Sequence, residues 1–122
     1  MPENPLVGEI LMQIDQALTT IERRFEPVNT IDDLVDTPEG QEKLDGLCML
    51  FIAIGESLKK IDKLTDGHLL EQYGYIDWKG IKGMRDILSH HYFDLNAEAI
   101  YIACDEEVPP LHAAIKDMLQ TP

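Results

Sequence analysis

Apolar residues recur at steps of three and four along most of this chain, and that spacing leaves few folds open. Val7, Ile10, Leu11, Ile14, Leu18, Ile21 and Phe25 form one stripe, which predicts a first helix over about 4–25, stopped by Pro27. Thr37-Pro38-Glu39 reads as a helix start: a capping hydroxyl, a proline in the first turn and an acid at the positive end of the dipole. A second helix then runs to about Lys63, with Leu44, Leu47, Cys48, Phe51, Ile52, Gly55, Leu58 and Ile61 as its stripe. Gly55 costs about 1 kcal/mol relative to alanine in a helix interior, so it reads as a close approach by another helix, with a tolerated glycine as the alternative. A short turn is expected at Ile31 to Val35, and one short helix between the turn signals Asp66-Gly67 and Tyr73-Gly74.

Asp77 is placed to cap a third main helix whose apolar side is Trp78, Ile81, Met84, Leu88 and His91. A fourth helix is expected over Ala97 to Cys104. Pro109-Pro110 then opens a last one, Leu111 to Leu119, buried through Leu111, Ile115, Met118 and Leu119. Strand-type alternation is absent. The expected fold is all-α: an antiparallel bundle of four to five helices, one domain over residues 1–122, large enough for a single core.

The net charge of −13 argues against non-specific binding to nucleic acid or to an anionic membrane. Its distribution is uneven: residues 56–85 hold six basic against five acidic side chains, and the remainder holds four against eighteen. No apolar run approaches the roughly 20 residues of a membrane span, and the start of the chain lacks a signal-peptide pattern. The expected location is the cytoplasm. Cys48 and Cys104 lie in apolar helical patterns and read as reduced, buried thiols, or as a disulfide pair, which the sequence does not decide. His68, His90, His91 and His112 make no zinc pattern, and no metal or cofactor is expected.

The densest chemistry lies in Arg85-Asp86-Ile87-Leu88-Ser89-His90-His91-Tyr92, an R-x-x-x-x-H-x-Y pattern. RNA carries its own nucleophile, the 2′-hydroxyl. A histidine can take that proton or give one to the leaving 5′-oxygen near neutral pH. An arginine can hold the charge that gathers on phosphorus oxygens, and a tyrosine can position the phosphate or stack on a base. Such a site would leave a 2′,3′-cyclic phosphate without needing a metal. Arg85, His90 and Tyr92 are the catalytic candidates, with Glu56, Lys82 and Ser89 in support. A plainer reading stands beside it: Arg85 pairs with Glu56 inside the bundle and Tyr92 is a core tyrosine.

Geometry limits the first reading. At about 100° per residue, Arg85 and Tyr92 share a helix face while His90 turns about 140° away from Arg85. Either the helix distorts or ends near Ser89 to His90, or a second copy completes the site; a two-fold dimer is favoured, with some distortion.

These residues bring a family into view. Ile54-Gly55-Glu56-Ser57, Ile76-Asp77-Trp78 followed by Ile81-Lys82-Gly83-Met84-Arg85-Asp86, and His90-His91-Tyr92-Phe93 together resemble, in order and spacing, the HepT-like branch of the HEPN superfamily. The resemblance covers about residues 44–119. It implies a small all-helical homodimer whose motifs line a cleft between the two copies. It implies a metal-independent endoribonuclease, the toxin of a type VII toxin–antitoxin pair, acting on RNA such as tRNA. Its partner would be an MntA-type nucleotidyltransferase antitoxin that transfers AMP to Tyr92. Carried over by position, Arg85 stabilises phosphate charge, His90 exchanges the proton, and Tyr92 supports RNA binding and accepts the modification. A non-catalytic adaptor for a nucleotidyltransferase is the alternative within the same superfamily.

Overall fold

The computed structural model describes residues 4–90 and 97–120, and every regular element among them is helical. The order is α1 (Pro5–Phe25), α2 (Asp32–Val35), α3 (Pro38–Thr65), α4 (His68–Glu71), α5 (Trp78–His90), α6 (Ala97–Ile102), a π-helical turn (Ala103–Glu107) and α7 (Val108–Gln120). Because α6, the π turn and α7 run on without a break, the described residues form four long rods and two single-turn helices.

Local chemistry sets the ends of these rods. The Asn4 side chain accepts a hydrogen bond from Leu6 N–H at 2.9 Å, with Pro5 in the first turn of α1. Thr37 Oγ1 accepts from Gly40 N–H at 3.0 Å, again with a proline in the first turn. These caps satisfy donors that a helix start leaves unpaired. α3 closes on Asp66 and Gly67, both left-handed at φ 55° and 77°, and Gly67 N–H bonds back to the carbonyl of Asp62. Asp77 Oδ1 accepts from Gly80 N–H at 3.0 Å, capping α5 as the sequence predicts.

α3 lies between α1 and α5, and α7 packs on α1. Contacts fix the directions. Arg24 near the end of α1 reaches Gly46 near the start of α3, whereas Leu6 and Ile10 share a groove with Lys60 and Lys63 near the end of α3, so the two run antiparallel. The predicted α1 stripe is buried from Val7 to Ile21; Phe25 is half-buried, edge-on to Tyr101 at 5.2 Å between ring centroids. In α3 the stripe differs at one point. Ile54 is buried and Ile52 only partly, because Ile54 sits beside Gly55 where the neighbouring helix presses closest. Fully burying a Leu or Ile contributes roughly 1.5–3 kcal/mol, and the core, which draws on all four rods, supplies the fold's main driving force.

The C-terminal rod corrects the sequence reading. The double proline was expected to separate two helices, yet Pro109 and Pro110 sit inside a continuous one. A proline in a helix interior lacks the N–H and collides with the carbonyl four residues back. Here the turn just before the prolines is widened, and Val108 N–H bonds to the carbonyl of Ala103, five residues back. Asp105, Glu106 and Glu107 are exposed, so the carbonyls that the prolines leave without a partner lie on residues facing water.

One polar group is set into this core. His112 of α7 is 5% exposed, with Nε2 2.7 Å from Asp15 Oδ1 and Nδ1 against Glu22 Oε1. Asp15 and Glu22 are seven residues apart on α1 and so share one face. Cys48 and Cys104 are free and buried. Burial pushes the Cys48 thiol up to about 11, and burial with the nearby Cys48 pushes Cys104 up to about 12. No helix among the described residues is long and apolar enough to cross a membrane.

Candidate active site on the seam between α3 and α5

Gly55 positions the site. A Cβ built on it would stand 2.9 Å from Arg85 Cβ, 3.5 Å from the carbonyl oxygen of Lys82 and 3.6 Å from that of Ile81. Only a residue without a side chain lets α5 lie so close on α3, as the sequence predicts. That contact places the root of the Arg85 side chain directly over α3.

The guanidinium is then held by two carboxylates. Arg85 Nε pairs with Glu56 Oε1 of α3, and Arg85 Nη1 bonds Asp86 Oδ1 at 2.8 Å. Nε is buried from water without an aligned hydrogen-bond acceptor, so its attraction to Glu56 is ionic. The hydrogen bond that Arg85 donates to Asp86 and the charge of Glu56 hold Arg85 above its ordinary pKa, keeping it a permanent cation. Lys59 Nζ stands 3.7 Å from the same Asp86 oxygen, and Lys82 pairs with Asp62. The seam is an antiparallel ladder: Glu56, Lys59 and Asp62 along α3 face Arg85, Asp86 and Lys82 on α5. Its formal charges cancel, which makes it a neutral strip on an acidic chain.

The candidate residues divide accordingly. Arg85 and Glu56 come together, as the plainer sequence reading expected. Lys82 is on α5 but engaged by Asp62, one turn from Arg85. Ser89 is exposed, one helical turn beyond Arg85. His90 closes α5 with helical backbone, and its side chain lies outside what is described. Tyr92 and His91 lie outside the described residues altogether. α5 is α-helical as far as His90, where the described residues break off, so the backbone shows no distortion before that point and positions 85 and 90 stand about 140° apart around the helix axis. Asp86 and Lys59 as members of the ladder were missed. The signal was present: acid, base, acid at three-residue steps in Glu56, Lys59 and Asp62, matched by the reverse signs on the neighbouring helix. Among the described residues no group of three or more His, Cys, Asp or Glu is placed to hold a metal ion. A groove of about 480 Å³ between α1 and α3, lined by Leu6, Ile10, Lys60, Lys63 and Leu64, does not include Arg85.

A helical bundle that carries an R-x-x-x-x-H motif on its third long rod, pressed onto a glycine-glutamate step, defines a class. The family model described as "Ribonuclease HepT-like" matches residues 14–118. The chain belongs to this HepT-like ribonuclease family of the HEPN superfamily. A relative from Caldanaerobacter subterraneus subsp. tengcongensis, named "Putative RNase", is 37% identical over 67 residues, 55% of this chain and 56% of that protein. Two relatives from Methanocaldococcus jannaschii bear the same designation. One is 36% identical over 56 residues (46% of this chain, 43% of the relative), the other 31% over 67 (55% and 54%). The chain spans about half the length of the curated relatives it matches. No solved structure matches it.

Proposed function

We propose that this protein is an endoribonuclease that cuts RNA by attack of the 2′-hydroxyl, with Arg85, His90 and Tyr92 as its site. The observation that carries the reading is Arg85: a permanent cation, rooted over Gly55 at the head of the motif, in a chain of a family described as ribonuclease-like. Arg85 neutralises the phosphorane-like transition state, His90 moves the proton, and Tyr92 positions the phosphate. No step calls for a metal. The regular helix through His90 supports a site completed by a second copy, because positions five apart on one helix differ by about 140° around its axis. The protein then acts as a homodimeric, cytoplasmic toxin restrained by an MntA-type nucleotidyltransferase. AMP on Tyr92 would add an anion where the substrate phosphate belongs and compete for Arg85.

A second reading draws on the ladder. Arg85 is shared by two carboxylates on a chain of net charge −13, which suits a protein partner better than a nucleic acid. In that reading the domain is a non-catalytic adaptor for the nucleotidyltransferase. Induced expression in a bacterial host separates the two. Wild type should arrest growth, His90→Ala should not, and RNA recovered from arrested cells should carry 2′,3′-cyclic phosphate ends. Equal arrest by both proteins would refute the catalytic reading.

A further inference from the structure

We infer that Glu56 is a positioning residue that sets the plane of the Arg85 guanidinium, and that its carboxylate weakens substrate binding in the same act. The inference rests on the ribonuclease reading and assigns a role within that site.

A guanidinium is flat, and its five N–H donors keep fixed relative directions. Its aim is therefore settled once two points on its edge are held. In this chain those points are Nη1, which donates to Asp86 Oδ1 at 2.8 Å, and Nε, which the Glu56 carboxylate holds by charge rather than by an aligned hydrogen bond. The two holds are unequal. Asp86 is the next residue on the same helix, its side chain is 53% exposed, and it also answers to Lys59. Glu56 comes from the other helix, directly after the glycine on which Arg85 Cβ rests. Gly55 fixes where the arginine side chain starts, and Glu56 fixes which way its far end turns.

The arrangement has an electrostatic cost. A phosphodiester approaching Arg85 meets the Glu56 charge within the same few ångströms, and at a half-exposed site that repulsion is only partly screened. Glu56 therefore trades binding for aim. Removing it should weaken turnover while tightening the hold on RNA, whereas loss of a merely structural contact would lower the folded fraction and leave both constants per folded molecule alone.

The test uses the full chain and the variants Glu56→Ala and Glu56→Asp, with His90→Ala as the inactive control. The first readout needs no substrate. The chain has three arginines, Arg23, Arg24 and Arg85, and Arg85→Lys identifies the Arg85 Nε–H resonance by its disappearance. That buried proton should exchange slowly with water in wild type and Glu56→Asp, and quickly in Glu56→Ala. The second readout is cleavage of total bacterial RNA, scaled to folded protein. Misdirecting a positioned group typically costs about 10- to 100-fold, so kcat should fall by that order in Glu56→Ala, with KM lowered and Glu56→Asp partly restoring kcat. Unchanged Nε–H exchange in Glu56→Ala, or unchanged kcat, overturns the inference. If wild type cuts no RNA while the exchange pattern holds, the ribonuclease reading fails and the positioning role stands.

Discussion

Replacing Gly55 by alanine tests the contact on which the site is built. In an ordinary helix interior the change would stabilise by about 1 kcal/mol through backbone entropy. Here the new methyl would lie 2.9 Å from Arg85 Cβ, against about 3.5–4.0 Å for comfortable carbon contact. The two helices must therefore separate by roughly 0.6–1 Å, and overpacking of that kind costs typically about 1–3 kcal/mol. Combining the two, Gly55→Ala should be neutral to destabilising by about 2 kcal/mol. Gly83 provides the internal reference, because it too is inside a helix but a Cβ there meets nothing within 4 Å. Gly83→Ala should gain the full propensity term, about 1 kcal/mol. The measurable quantity is the difference between the two variants, about 1–3 kcal/mol, from urea unfolding at one protein concentration. Gly55→Ala and Gly83→Ala proteins of equal stability would show that α5 does not rest on Gly55, and the account of how Arg85 is placed would fall with it. Gly40→Ala should be worse than either, since its Cβ would lie 2.2 Å from the backbone oxygen of Asp33, which has little freedom to yield.

Two further outcomes follow from the core. Replacing His112 with alanine removes the link between α7 and the carboxylates of Asp15 and Glu22, and should cost about 1–3 kcal/mol in urea unfolding; an unchanged midpoint would refute the link. The thiols titrate at about 11 for Cys48 and about 12 for Cys104. Both values are raised above the ordinary thiol, so their contribution to stability is complete below about pH 8.5 and is lost as pH rises through 11 to 12. Neither thiol should react with iodoacetamide in the native protein at pH 8, and both should react in 8 M urea, conditions of roughly neutral thiol chemistry; rapid native labelling would contradict their burial.

The bundle was legible because its information is local. Stripe spacing, Thr37-Pro38 and Asp77 each act within a turn or two; both caps appear where the pattern placed them, and so do the stripes, except that Ile54 is buried in place of Ile52 and that Phe25, Met84 and Leu119 are half-buried. Gly55 was legible as a close approach because an unneeded glycine inside a strong helix carries a cost. The π turn was not, because Pro109-Pro110 has two physical outcomes, a helix start or a widened turn that accommodates the rings. Nothing in the adjacent residues selects between them; burial of Val108 and Leu111 on the same rod does. The Glu56–Arg85 pair was readable as a candidate, but not the shared hold of Asp86, since that depends on where Lys59 lands. His112 was seen only as a residue that fits no zinc pattern. Its partners are 90 and 97 positions away in sequence, beyond the reach of any local rule.

α5 has a consequence for how the molecule loosens. Among the described residues its extensive packing is with α3 alone, and much of that seam is an alternation of opposite charges around a glycine. Attractions between half-exposed ions fade as added salt shortens the Debye length from about 10 Å at 0.1 M to about 3 Å at 1 M, while the apolar grip of α1, α3 and α7 does not. Amide exchange should therefore reveal α5 as a separate opening unit, freed by salt well before the rest unfolds. The arginine at the head of the motif rides on a rod whose extensive packing, among the described residues, is with one neighbour, so the ionic strength of the surroundings sets how often it is held ready.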